Sequence, residues 1–287
     1  MANTLALRRR IRTAQNIGKT TRAMQMIAAS RLKKAQHAAV SARPYVEKLT
    51  EVTQNAAPKE LHTQERINPY LKSPFTVNRA LYLIIAPDKG LCGGLITNLV
   101  REYMKIKNGK NAEFITIGKK VEGPVAASKQ LIASFPFGTT LPSFALVPPL
   151  VKLINEEYLG GKVDSVMIIS TKFESVFSQM PIVTQLLPVM LEPLQETQTQ
   201  DKLFEPSEHL LLPLLLQRYV EMVIYQQLLE SYASENAARM IAMQNATNNA
   251  KDIVNEYQLL YNKARQEKIT NEILDISSAS VALSSEE

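Results

Sequence analysis

Over the first fifty residues, apolar or small side chains return at every third or fourth position: Leu7, Ile11, Ala14, Ile17, Thr21, Met24, Ala28, Leu32, Ala35, Ala39, Ala42, Val46 and Leu49. That spacing lines one face of an α-helix. Pro44 predicts a kink or a change of direction, because proline lacks a backbone donor and its ring crowds the preceding turn. The helix should fade before Pro58. A longer version of the pattern closes the chain, at Leu212, Leu215, Tyr219, Met222, Gln226, Leu229, Ala233, Asn236, Met240, Met243, Thr247, Ala250, Val254, Tyr257, Tyr261, Ala264 and Lys268. Thirteen of these seventeen are apolar or aromatic, which predicts a heptad seam. With neither Gly nor Pro between residues 214 and 287, a rod on the order of 100 Å long is expected at the α-helical rise. The only other long amphipathic helix lies at the opposite end of the chain, so the termini are expected to pair as an antiparallel coiled coil. Ala, Met and Thr dominate the seam, which predicts close approach with modest burial per turn.

The middle of the chain changes period. All the glycines except Gly18 fall between Gly90 and Gly161. The apolar run Ala80 to Ala86 reads as a strand ending in the turn Pro87 to Gly94, after which Leu95 to Lys105 has helical spacing. Glu113 to Ile117, Leu131 to Phe135, Ser165 to Ser170 and Ile182 to Pro188 read as further strands, with a helix near Leu150 to Tyr158. Alternation of this kind predicts a central Rossmann-like α/β domain with a largely parallel sheet. Pro-rich links at Pro69 to Pro74 and Pro188 to Pro206 separate it from the rods. The expected segments are therefore an N-terminal coiled-coil helix over 1–58, the α/β domain over 75–195 and a C-terminal coiled-coil helix over 207–287.

Composition narrows what such a chain does. The longest apolar run, Leu210 to Leu216, is interrupted by Pro213 and is far short of the ~18 residues a membrane span needs, so membrane association should be peripheral. The single cysteine, Cys92, excludes an internal disulfide. No Cys/His cluster has zinc spacing, and His37, His62 and His209 read as surface residues. The net charge of +6 is unevenly placed: residues 1–46 carry ten Lys or Arg and no acid, and the rest of the chain is mildly acidic. An Arg-rich start also fits an organellar transit peptide, but this one is poor in Ser and runs into a periodic helix, so it reads as mature protein.

The glycine turn is the one place where a phosphate could be expected, at backbone amides opening a helix. It fits neither G-x-G-x-x-G nor a P-loop, since Lys89 precedes the glycines, and it reads as a tight strand-to-helix turn. Cys92 within it reads as a small buried thiol. No catalytic set, cofactor site or metal box is nominated. The acid-free helix suits nucleic-acid phosphates or acidic loops of a protein, with a solvated basic face as the plain alternative. Residues 1–44 contain no aromatic side chain, which tilts the choice toward protein.

Particular residues then carry a resemblance. The segment Asn16-Ile17-Gly18-Lys19-Thr20-Thr21-Arg22-Ala23-Met24-Gln25-Met26-Ile27-Ala28-Ala29-Ser30, followed by Ser41-Ala42-Arg43-Pro44-Tyr45, resembles the N-terminal helix of F-type ATP synthase gamma subunits. Asp88-Lys89-Gly90-Leu91-Cys92-Gly93-Gly94 is similar to the signature of that family's central domain, as are Lys172-Phe173, Ser178-Gln179-Met180-Pro181 and Gln185-Leu186-Leu187-Pro188. In the last helix the resemblance is carried by Arg218-Tyr219-Val220-Glu221, Ala233-Ser234-Glu235-Asn236-Ala237-Ala238-Arg239-Met240 and Tyr261-Asn262-Lys263-Ala264-Arg265-Gln266 with Ile269-Thr270.

The resemblance implies a non-catalytic rotor of the bacterial type: a shaft inside a ring of alternating alpha and beta subunits, resting on epsilon and the membrane c-ring, at the cytoplasmic face of the inner membrane. It implies no cofactor and no nucleic acid. Carried over by position, Arg239, Gln266 and Thr270 would latch onto a beta loop, and Lys19, Arg22 and Met24 would face acidic loops of beta. Asp88, Gly90, Cys92, Gly93 and Gly94 would form the central-domain turn. Gln266 and Thr270, four apart, can share a helix face. Gly18 and Thr20 depart from the family pattern and imply a looser local seam; Ala279 and the tail Ser284 to Glu287 depart near the C-terminus.

Overall fold

The computed structural model describes residues 4–56, 68–71, 79–107, 112–190, 205 and 207–284. In chain order the elements are α1 (Thr4–Ala56), β1 (Ala80–Ile85), α2 (Leu95–Ile106), β2 (Ala112–Ile117), α3 (Lys119–Ala126), β3 (Leu131–Phe135), a 3-10 turn (Phe144–Leu146), α4 (Val147–Tyr158), β4 (Ser165–Phe173), β5 (Gln179–Leu187) and α5 (Glu208–Ser284). They form two compact units: the chain up to Ile27 with the chain from Met240 onward, and Ala28 to Arg239. Both long helices contribute to each. Most of the Pro-rich links, and His62, lie outside the described residues, as do the side chains of His209 and Ala279 and the tail beyond Ser284.

The first unit is an antiparallel pair of helical segments. On α5, Met243, Thr247, Ala250 and Ala264 are buried and Met240, Val254, Tyr257 and Tyr261 half-buried, while nearly everything between them is exposed. The period of three and four therefore places this stretch of the seam as expected. On α1 the seam runs through Leu7, Ile11, Ala14, Gly18, Thr21 and Gln25. Ile17 and Met24, expected in it, are instead 51% and 37% exposed. Steps of three and four leave a choice of neighbouring residue, and close approach decides it. A Cβ built on Gly18 would stand 3.5 Å from the Ala250 Cβ, leaving no room for isoleucine. One turn on, Thr21 Oγ1 and Thr247 Oγ1 share a hydrogen bond of 2.8 Å, and the Arg10 guanidinium lies 5.9 Å from the Tyr257 ring centre. Gly18 thus makes the local seam tight, not loose.

The second unit is a five-stranded sheet in the order β3-β2-β1-β4-β5. β1 pairs in parallel with β2 and β4, β2 pairs in parallel with β3, and β5 returns antiparallel along β4. Strands covered on both faces read as unbroken apolar runs, and Leu81, Leu83, Ile84, Ile85, Phe114, Ile115, Val166, Ile168 and Ile169 are fully buried. Successive side chains alternate faces. Ile84, Phe114 and Ile169 meet Leu95, Leu99 and Tyr103 of α2 and Val121 and Val125 of α3. Tyr103 meets Phe114 edge-on at 5.0 Å. The sequence reading had no α3, because Gly123 and Pro124 look like breakers; Val121 and Val125, one helical step apart and buried, hold it against the sheet. β4 and β5 are longer than expected because they form a hairpin across 174–178.

Here α5 is covered all round from 218 to 239. Residues 231–237 are all buried, and Leu216, Val220, Ile224 and Leu228, off the expected seam, are inaccessible. The second stripe packs on the α/β body: Ser234 Oγ donates to the Thr171 carbonyl at 3.1 Å, Ser170 Oγ to Gln227 Oε1 at 2.7 Å, and Tyr232 and Tyr225 meet Phe137 and Phe144 edge-on. α1 buries Ala28, Leu32, Ala35, Ala39, Leu49, Thr53 and Ala56. The helix continues through the exposed Pro44, so one lost hydrogen bond does not end it. Arg218 reaches the Tyr45 hydroxyl and Glu221 while lying over the Phe144 ring.

Gly18 gives the first prediction. Gly18→Ala is expected to stabilise the chain by about 0.5–1 kcal/mol, since its Cβ meets Ala250 at ordinary contact distance and glycine is costly inside a helix. Gly18→Leu should destabilise it by about 1–3 kcal/mol through overpacking. Thermal unfolding of the two variants beside the parent checks both signs.

Candidate functional site

The glycine turn is built from the sheet outward. β1 ends with the Ala86 amide donating to the Ile117 carbonyl at 2.8 Å, and the chain then turns into α2. The Asp88 carboxylate faces back-bone amides of two other loops: Oδ1 accepts from Lys119 at 3.0 Å and Phe137 at 3.3 Å, and Oδ2 from Gly138 at 2.8 Å. Asp88 therefore ties the turn to the start of α3 and to the loop after β3. Gly118, at φ +103°, passes so close to this turn that a Cβ would fall 1.8 Å from the Ala86 carbonyl oxygen. Leu91 and Gly93 are left-handed, with φ 63° and 59°. For Gly93 that conformation is free; for Leu91 it is a strained one that surrounding contacts must impose. Gly94 precedes α2.

Cys92 lies in the core under this turn, 1% exposed, among Leu95, Leu99 and Tyr103. Burial pushes its thiol up from the ordinary range, against a smaller opposing pull from the Arg239 charge. Arg239 approaches from α5. Its guanidinium pairs with Glu235 at 2.7 Å and donates to the carbonyl oxygens of Lys89 at 3.2 Å and of Gly90 at 3.2 and 3.4 Å. Glu235 is itself buried; burial raises its pKa and Arg239 draws it back. The structure thus brings Arg239 together with Asp88, Gly90 and Cys92, a grouping invisible at a separation of about 150 residues in sequence. Glu235 went unassigned in the sequence, although Arg239 one helical step away was a signal for an ion pair.

The other candidate residues lie in the helical unit. Lys19 and Arg22 are exposed on α1, with Met24 beside them. Gln266 and Thr270 are exposed on α5, and the Thr270 hydroxyl donates to the Gln266 carbonyl at 3.0 Å, which places both on one face. Since Gly18 faces Ala250 and Arg10 faces Tyr257, Gln266 lies beyond Arg10, well along the pair from Lys19. Exposed apolar side chains missed by the sequence reading accompany both sets: Met26 and Ile27 on α1, and Ile269, Ile273, Leu274 and Ile276 on α5. Among the described residues no group of three or more His, Cys, Asp or Glu is placed to hold a metal ion.

Burial of Cys92 predicts that iodoacetamide at pH 8 leaves the folded chain unmodified and alkylates it after unfolding in guanidinium, because the protonated, covered thiol is a poor nucleophile. Mass spectrometry of the quenched samples reads this directly; rapid labelling of the folded chain would contradict it.

The family model described as ATP synthase matches residues 3–283. The ATP synthase gamma chain of Dehalococcoides mccartyi strain CBDB1 is 42% identical over 288 residues, covering 99% of this chain and 100% of that one. The gamma chain of Chloroflexus aurantiacus is 36% identical over 298 residues, again over 99% and 100%. Among solved structures, the fold is similar to a chain of the Euglena gracilis mitochondrial ATP synthase in its OSCP/F1/c-ring, rotational state 3, with a TM-score of 0.67 and 18% identity over 98% of this chain and 95% of that one. A chain of the Tetrahymena thermophila mitochondrial ATP synthase central stalk and c-ring aligns with a TM-score of 0.61 at 24% identity, over 79% and 99%. These relatives do not favour the nucleic-acid alternative. Full-length likeness in sequence and in fold leads to one conclusion: the chain belongs to the ATP synthase gamma chain family, as a non-catalytic central-stalk subunit.

Proposed function

We propose that this central-stalk chain turns inside a ring of alternating alpha and beta subunits and couples proton flow through a membrane c-ring to ATP synthesis or hydrolysis. The observation that carries the reading is the tight α1/α5 pair, which spends its apolar seam internally and leaves Lys19, Arg22, Ile17 and Met24 facing outward. A rotor surface needs contacts that form and release against each beta subunit in turn. Exposed ion pairs worth about 0.2–1 kcal/mol meet that demand. Each beta subunit is then biased toward a different conformation by the asymmetric surface it meets.

Gln266 and Thr270 form the latch toward a beta loop. The apolar side chains Ile269, Ile273, Leu274 and Ile276 find cover in the same ring. The α/β body rests on epsilon and the c-ring. Attachment at the cytoplasmic face of the inner membrane then runs through the complex; no helix among the described residues is long and apolar enough to cross a membrane.

The direct test is copurification: a tagged chain is expected to bring alpha, beta and epsilon with it, and its failure to do so would remove the reading. Arg22→Ala should lower proton-driven ATP synthesis only modestly, because one exposed contact is lost. Val254→Pro, in the middle of α5 on the seam, should abolish coupled synthesis, since proline inside a helix costs about 3 kcal/mol or more and bends it. Normal synthesis by that variant would contradict the need for a stiff shaft.

A further inference from the structure

We infer that Arg239 and Asp88 are positioning residues that fasten α5 to the rim of the sheet, so that turning force passes between the α/β body and the helix through the Asp88-to-Gly94 turn. The inference rests on the central-stalk reading and assigns the signature turn a mechanical task. Arg239 has the geometry for it. Its planar fork makes three bonds to two successive carbonyls, of Lys89 and Gly90, while a fourth contact holds Glu235 four residues back on the same helix. Lysine offers its three donors from one nitrogen on a flexible stem, without the rigid fork that fixes the two carbonyls and the carboxylate relative to one another.

The pair is deeply placed, with side-chain exposures of 14% for Arg239 and 7% for Glu235. Glu235 Oε2 is buried without a hydrogen-bond partner. A buried carboxylate satisfied on one side only is an expensive way to stabilise a helix, but it fixes where the guanidinium points.

The bracketed carbonyls sit next to Leu91, whose left-handed φ and 60% exposure mean that its own packing does not hold it there. The Arg239 bracket on one side and buried Cys92 on the other supply the constraint. Immediately before the bracket, Asp88 collects the amides of Lys119, Phe137 and Gly138. Three loops at one rim of the sheet are thereby joined to each other by Asp88 and to α5 by Arg239. A displacement of α5 must move that rim or break charge-assisted hydrogen bonds, which are the stronger kind.

The test uses the full chain, alone and assembled with its alpha, beta and epsilon partners, carrying Arg239→Lys or Asp88→Asn. Arg239→Lys keeps the charge pair with Glu235 and should fold. Asp88→Asn offers one side-chain oxygen where three amides need two. Hydrogen exchange is expected to quicken about tenfold, near the low end for losing one hydrogen bond to a charged group, at the amide or amides left facing the Asn NH2 group in Asp88→Asn, and at Leu95, whose amide donates to the Cys92 carbonyl within the bracketed turn, in Arg239→Lys. Proton-driven ATP synthesis should fall more than unloaded ATP hydrolysis in the assembled enzyme. Slow exchange with reduced synthesis would overturn the inference and leave Arg239 acting through a partner. Fast exchange with synthesis and hydrolysis both intact would overturn it too, since the rim would then carry no force. Exchange on the isolated chain judges the bracket even if the wild-type chain fails to copurify, so that failure is told apart from failure of the rotor reading.

Discussion

The constraint on which the structure depends is that one uninterrupted helix must satisfy two different surroundings. From Met240 onward α5 buries a single narrow stripe against α1, and over 218–239, in the α/β unit, none of its residues is exposed. Residues 231–237 resolve the demand with Ala, Ser, Glu, Asn and one Tyr, small or polar side chains that let other backbones come near. Continuity through 77 residues is possible because no glycine or proline interrupts the chain after Pro213.

Close approach is the theme on both sides of that helix. Gly18 against Ala250 and the Thr21–Thr247 bond replace the large apolar contacts of a stronger zipper. Each turn buries little, so stiffness comes from many small contacts in register and from the unbroken backbone ladder. The outward residues are thereby released for partners: Ile17 and Met24 lie on the solvent side because Gly18 and Gln25 occupy the seam.

Much of this was legible in the residues. β3 spans the residues expected from its apolar run, β1, β2 and α2 differ by a residue at an end, and the seam from Met240 to Ala264 follows the heptad steps. What the residues concealed has physical causes. A heptad search follows one stripe, so Leu216, Val220, Ile224 and Leu228 escaped it. Gly123 and Pro124 masked α3, whose support is tertiary. The bond between Arg239 and the glycine turn joins positions about 150 apart, and no local pattern encodes it. The turn's glycines were readable as conformational devices, yet the work of Asp88, three amides drawn from two other loops, appears only once the strands are ordered.

The central claim, that the paired ends of α1 and α5 act as one body, has a direct test in a covalent bond between them. Because a Cβ at Gly18 stands 3.5 Å from that of Ala250, within disulfide range, Gly18→Cys with Ala250→Cys in a Cys92→Ser background should close an internal disulfide under mild oxidation. The oxidised chain, assembled with its partners, is predicted to synthesise ATP at the rate of its reduced form. Absence of the cross-link, or loss of synthesis on oxidation restored by reduction, would contradict the account.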